Sequence, residues 1–445
     1  MASSKIFICL HQAQPKRTVR RALQAALMIG ATLVCASSVT AGQPQAAPPQ
    51  ATMPQARAGT AAIAAMERSF ADLVAREQRA GIVWRIMRDG KIISSGAIGW
   101  QDREQRMPMS AATTFRLYSM SRAITSVAGL RLVERGRLSL DEPLAKYLSA
   151  FADPRVLADA KSAAAGTVAA ARPILIRDLF TYTAGFGYAP DYPSDLGLRR
   201  DDVIGIGTNI AAGVDHLAKF PLLFQPGARW HYGFSSDVLG RVIEVVTGKP
   251  LDRALRELVL DPLDMKDTGF RSDEQRLARA YGLRDGRLVE LTDTLPKSAD
   301  YLREGSMHSG GGGLVATADD YLKFCEMLRQ RGLGPRGRLL QERTVQAMLT
   351  NELRSDQGPL FWHQKQPSPL MHGGGWGLGI GVRTADVDED PLVSHRGEAF
   401  WGGLAGTGFL VDPASGTSAV VMSQYYGREG DDVSFILRRG VYGSP

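Results

Sequence analysis

Apolar residues between 59 and 80 recur at Ile63, Met66, Phe70, Leu73 and Val74, the rhythm of a helix with one buried face. At Gly81 the pattern changes. GIVWRIMRDGKIISSGAIGW places two apolar runs around Asp89-Gly90, which predicts paired strands joined by a tight hairpin turn. A long central region has helical rhythm near 119–135, 235–248, 251–259, 317–331 and 341–349. Thr317 with Asp320 resembles a capping box for the fourth of these, and Gly332 ends it. From about residue 375, the segments WGLGIGV, PLVSHRG, GTGFLVD and SAVVMSQ predict strands divided by Asp, Pro and Gly turns, and DDVSFILRRGVY predicts a closing helix. Helix and hairpin at one end, with strands and helix at the other, predict an α+β fold. One antiparallel sheet is built from both termini (59–105 and 375–445) and flanked by helices, with a mostly helical subdomain (106–374) inserted. No repeat of fixed period is present.

Residues 1–42 follow a different logic. Lys5, Lys16, Arg17, Arg20 and Arg21 precede the apolar run ALQAALMIGATLVCA, and small residues close on Val39-Thr40-Ala41, the order of a secretory signal. The run is short and rich in Ala, so a membrane span is the weaker reading, and none is expected in the mature chain. Segment 43–58, QPQAAPPQATMPQARA, reads as a flexible tether. The leader changes the meaning of the composition. The chain has 53 Lys and Arg against 46 Asp and Glu, formally +7. Without the five leader cations the balance is 48 against 46, so the charge argues for export, periplasmic or secreted, and not for a nucleic-acid partner. Cys9 and Cys35 leave with the leader, and the remaining Cys325 sits at an apolar helical position as a small core residue.

Several chemistries find no support. The histidines (His11, His216, His231, His308, His363, His372, His395) form no H-E-x-x-H and no ligand spacing, so neither a metal nor a cofactor is expected. No phosphate-binding glycine motif occurs. His372-Gly373-Gly374-Gly375 matches a lipase oxyanion loop, but the G-x-S-x-G elbow that such a loop serves is missing, which makes the match a coincidence of a glycine-rich strand.

FRLYSMSRAITSVAGLRLVERGRLSLDEPLAKYL is more informative. Ser119 opens an apolar helix, where free backbone N–H groups and partial positive charge favour a developing oxyanion. On a helix, residues three apart share a face, so residue 122 is expected over the Ser119 hydroxyl. Ser119 therefore reads either as a helix cap or as a nucleophile.

Three blocks now resemble the serine β-lactamase and penicillin-binding-protein superfamily, in its class C-like branch with the β-lactamase-like (family VIII type) esterases. Ser119-Met120-Ser121-Arg122 aligns with the S-x-x-K of that family. In PGARWHYGFSSDVLGRVIEVVTGKPL, Tyr232 falls on its tyrosine. Trp401-Gly402-Gly403-Leu404 matches the W-G-G block that such esterases carry in place of K-T-G. IRDLFTYTAGFGY (176–188) and SGGGGLVATADDYLKF (309–324) support the match, which runs from about 60 to 440. The resemblance implies a β-lactamase-like fold and a serine hydrolase working through an acyl-enzyme on a small ester or amide. Ser119 would attack, Tyr232 would help move its proton, and the N–H groups of Ser119 and Leu404 would hold the oxyanion. Trp401 replaces a lysine cation, which favours uncharged acyl esters and places an indole at the pocket wall. Tyr188 is a second pocket candidate, or a packing residue. Tyr182 stands where relatives often have His and receives no role.

One departure matters. Arg122 stands where the family has lysine, and a guanidinium stays protonated and cannot accept the serine proton. Either Tyr232 acts as sole base beside that cation, with reduced activity, or the chain is an impaired relative binding cell-wall peptides or acyl ligands. A D-Ala-D-Ala carboxypeptidase or β-lactamase is a further alternative.

Overall fold

The computed structural model describes residues 59–198, 204, 209–294, 307–357, 374–385, 394–427 and 433–443. The leader, the tether, His372-Gly373 and the first two residues of DDVSFILRRGVY lie outside them.

The sheet is assembled from both ends of the chain. Eight antiparallel strands run in the order Gly374–Trp376, Gly381–Arg383, Ala399–Gly403, Thr407–Asp412, Thr417–Met422, Gly81–Arg88, Lys91–Asp102 and Met107–Pro108. N- and C-terminal parts meet at the pairing Val83↔Met422 through Arg88↔Thr417. The first hairpin turns at Asp89 (φ 48°) and Gly90 (φ 77°), the two positive φ angles that a type I′ turn requires.

Because strands alternate faces, each strand feeds two cores. Ile82, Trp84 and Ile86 point with Val421 and Leu410 toward the helices Thr60–Ala75 and Val433–Tyr442, whose Met66, Phe70, Ile436 and Val441 close that side. Val83, Val420, Met422, Phe409 and Val411 face the larger core, which holds the helices Ser121–Glu134, Ser235–Thr247 and Ala318–Arg329. Burial on both faces explains the near-continuous apolar runs of these strands. No described helix is long and apolar enough to cross a membrane.

The structure corrects some details. WGLGIGV is a hairpin rather than one strand: Gly374–Trp376 pairs with Gly381–Arg383 across a bend with Gly379 at φ 88°. PLVSHRG supplies no strand in its described part. The chain turns at Gly397 (φ 87°), the buried Glu398 turns in to accept from Tyr442 Oη at 2.6 Å and from Arg438, and the strand starts at Ala399. The inserted region is less purely helical than its rhythm suggests, with short hairpins at 155–169, 281–290 and 333–338, and the pairing Phe115↔Ala316. The helices Ile176–Thr181 and Ile210–Leu217 are too short to have shown a period.

Candidate active site

Ser119 lies on a 3₁₀ turn, Tyr118–Met120, that runs into the helix Ser121–Glu134. That helix is buried on nearly every face, so its first turn is fixed from several sides. Ser121 Oγ accepts from Leu314 N (3.1 Å), Thr125 Oγ1 donates to Gly310 O (2.8 Å), and Tyr321 Oη donates to Met120 O (2.9 Å). Tyr118 carries φ 45°, the left-handed strain that tight turns at functional sites often store. Ser119 itself is half-buried, and among the described residues its hydroxyl has no hydrogen-bond partner.

The strand Ala399–Gly403 leans on this turn. A Cβ on Gly403 would stand 2.3 Å from Leu117 O, so only glycine allows the strand to approach so closely. The neighbouring strand Gly381–Arg383 pairs with Ala399 and Phe400, and among the described residues no strand pairs with Trp401–Gly403 on that side. Here the N–H of the exposed Leu404 makes no hydrogen bond to a described residue, and neither does the N–H of Ser119. Two uncommitted donors flank the turn.

Arg122 does not bond to Ser119, as the three-residue spacing suggested it would be placed to do. The longer, forked side chain reaches past the serine into a box of tyrosines. Its Nη1 donates to Tyr182 Oη (2.7 Å) and Gly233 O (3.0 Å), and its Nη2 donates to Tyr188 Oη (2.5 Å). Its charged carbon sits 4.3 Å from the Tyr232 ring centroid, on the ring face, a cation–π contact. Nε is buried without a partner, and no described carboxylate comes within 4 Å. Although burial works against its charge, the surrounding phenols and the Asp237 carboxylate push the guanidinium further up. It remains a cation at any working pH.

Burial holds Tyr182 and Tyr188 well above the usual phenol range, with Arg122 only partly opposing it. Both stay protonated. Tyr232 is placed differently. Its ring stacks on Tyr182 (5.4 Å, 17°), and its hydroxyl accepts from Trp401 Nε1 at 3.1 Å. Trp401 is held edge-on by Trp376 (4.6 Å, 84°), whose own Nε1 donates to Phe180 O (2.9 Å). Asp237 accepts from Ser309 Oγ (2.5 Å) and Gly311 N (3.2 Å), and burial raises its carboxyl pKa while Arg122 opposes the rise.

The structure thus gathers Arg122, Tyr188, Tyr232 and Trp401 into one cluster and sets Ser119 on the adjoining turn, with Gly402, Gly403 and Leu404 at the end of the strand that leans on it. Sequence reasoning passed over Tyr182, Asp237 and Trp376. Tyr182 carries a local signal in its helix-ending position (φ 59°), but Trp376 is indistinguishable from a core residue until the sheet is closed.

A sheet built from both termini, a helical insert and a serine-bearing turn beside the strand Ala399–Gly403 define a β-lactamase-like fold. The chain belongs to the family described as Beta-lactamase, whose model matches residues 66–439. It is 33% identical over 409 residues to esterase EstB of Burkholderia gladioli, covering 86% of this chain and 96% of that one. It is 30% identical over 336 residues to lovastatin esterase of Penicillium rubens, covering 69% and 78% of the two chains. Among solved structures, EstCE1, a hydrolase with promiscuous acyltransferase activity, superimposes with a TM-score of 0.72 at 29% identity, covering 86% of this chain and 99% of its own. The esterase-like branch inferred from the three sequence blocks is therefore the right one.

Proposed function

We propose that the protein hydrolyses small acyl esters through an acyl-enzyme on Ser119, with Tyr232 as the group that moves the proton. The observation that carries this reading is Tyr232 itself, held between the Arg122 cation on its ring face and the Trp401 N–H on its oxygen. Both contacts favour negative charge developing on the phenolic oxygen. As the Tyr232 phenolic proton moves toward the leaving alcohol oxygen, negative charge grows on Oη and draws the Ser119 proton. Oγ thereby bonds to the carbonyl carbon, the ester C–O bond breaks, and the tyrosine ends as a neutral phenol. Water then enters, gives a proton through the same tyrosine to Ser119 Oγ, and releases the acid. The Ser119 and Leu404 N–H groups receive the carbonyl oxygen in both steps. Arg122 accepts no proton, which predicts slower acylation than a lysine in its place would give.

Trp401 supports the ester preference, because an indole stands where a lysine would anchor a substrate carboxylate. The esterase names of the relatives point the same way. The basic, apolar and small-residue order of segment 1–42 supports export to the periplasm or beyond. The lack of any bond between Arg122 and Ser119 favours a second reading, a non-catalytic binder of acyl or cell-wall ligands.

Hydrolysis of p-nitrophenyl butyrate and Ser119-dependent labelling by a fluorophosphonate decide between the two. Turnover abolished by Ser119→Ala supports the hydrolase. If the wild type shows neither turnover nor labelling while Arg122→Lys gains both, the binder reading stands. Rapid nitrocefin or D-Ala-D-Ala peptide turnover overturns the ester preference.

A further inference from the structure

The three tyrosines around Arg122 come from two stretches of chain: Tyr182 and Tyr188 from 182–192, and Tyr232 from 230–234. The two stretches touch at backbone distance, for a Cβ on Gly233 would lie 2.4 Å from Phe186 O and 2.9 Å from Gly187 Cα. His231 N donates to Tyr182 O (2.9 Å) at one end of the contact. At the other end a buried side-chain pair joins them, His231 Nε2 lying 3.0 Å from Asp191 Oδ2. The same carboxylate oxygen accepts Tyr188 N–H at 2.7 Å. One oxygen therefore fixes both the residue preceding Tyr232 and the backbone of Tyr188. Phe224 stands edge-on to the imidazole at 5.9 Å and limits its rotation. Neither His231 nor Asp191 bonds to Arg122 or Ser119.

We propose that His231 and Asp191 are positioning residues for the acyl-transfer site. They set the spacing at which the Tyr188 hydroxyl and the Tyr232 ring face both meet the Arg122 guanidinium. The inference rests on the role given above to Tyr232. Sliding the two stretches apart lengthens the Tyr188 Oη–Arg122 bond and opens the 4.3 Å ring contact together, since one cation serves both. A displacement of about 1 Å at a reacting group can cost on the order of a hundredfold in rate.

The test uses the full mature chain with p-nitrophenyl butyrate kinetics and the fluorophosphonate labelling rate of Ser119. His231→Ala is expected to lower kcat and labelling by about ten- to a hundredfold with little change in KM. His231→Gln, which can still offer an N–H to Asp191, is expected to recover most of the loss. If His231 acts through the tyrosines, His231→Ala added to Tyr188→Phe should cost much less than it does alone. Should His231→Ala fail to fold, the near-isosteric Asp191→Asn carries the same prediction with a smaller drop. Wild-type kcat in folded His231→Ala, or effects that simply multiply in the double variant, overturn the positioning role alone. A wild type that neither labels nor turns over removes the ester reading, and this inference with it.

Discussion

Replacing Trp401 with Phe separates two jobs that one side chain performs. The indole is buried, lies 5.3 Å from the Tyr232 ring centroid, and donates its Nε1–H to the phenolic oxygen at 3.1 Å. Phe keeps an aromatic ring on the same strand and removes the donor. In the resting enzyme that bond is neutral and worth about 1 kcal/mol; as negative charge grows on Tyr232 Oη it becomes charge-assisted, about 1.5–3 kcal/mol. Only the difference, about 0.5–2 kcal/mol, raises the barrier, and at 1.36 kcal/mol per decade kcat falls by roughly two- to thirtyfold. The smaller ring also leaves space beside Trp376, so stability should drop by about 1–2 kcal/mol, read separately as Tm. Steady-state kinetics on p-nitrophenyl butyrate check the first effect. A rise in KM with kcat unchanged would refute the reasoning, because it would make Trp401 a pocket wall and nothing more.

The other predictions concern the cation, the close approach of Gly403 and two buried carboxylates. Arg122→Lys should raise the fluorophosphonate labelling rate by about tenfold or more, since an amine can shed its proton where a guanidinium cannot; an unchanged rate would remove Arg122 as the limiting feature. Gly403→Ala puts a methyl 2.3 Å from Leu117 O and should abolish labelling while the protein still folds, as followed by circular dichroism. Glu398→Gln removes the charge that meets Arg438 in the core, where both side chains are almost fully buried, and should cost about 3 kcal/mol in a urea titration. Asp412 has its carboxyl pKa lowered: burial acts to raise it, but hydrogen bonds from His395 and Ser415 outweigh that. Its contribution to stability is therefore present above the unfolded carboxylate value near 4 and lost as pH falls through the lower folded value. Asp412→Asn should accordingly flatten the loss of stability below pH 4.

What the sequence reveals here follows the range over which each signal acts. The amphipathic helix, the Asp89-Gly90 turn and the C-terminal strands are written in neighbouring residues, and they suffice to place the sheet at the two termini. The Ser119 turn and the Trp401–Leu404 edge are short motifs, and they are equally legible. Trp376, Asp237 and the His231–Asp191 pair are different. Each gains its meaning only when stretches of chain far apart in sequence are folded together, and taken singly each looks like packing. The hairpin hidden in WGLGIGV was missed for the opposite reason, since a run of glycines and apolar residues satisfies a strand pattern whether or not it bends.

The reach of Arg122 also escapes a spacing argument. A three-residue interval on a helix fixes which face a side chain leaves from and says nothing about how far it extends. Lysine at this position would end in a compact ammonium that can donate in any direction. The guanidinium instead ends in a planar fork, and here the fork is filled by two tyrosine hydroxyls and a carbonyl, none of them on the serine turn. The substitution therefore does more than remove a base. It redirects positive charge from the Ser119 hydroxyl to the face of Tyr232, so any acylation this site performs depends on how well that tyrosine is held. The Trp401 donor and the His231–Asp191 link are the two contacts on which Ser119→Ala and Arg122→Lys, taken alone, give no information.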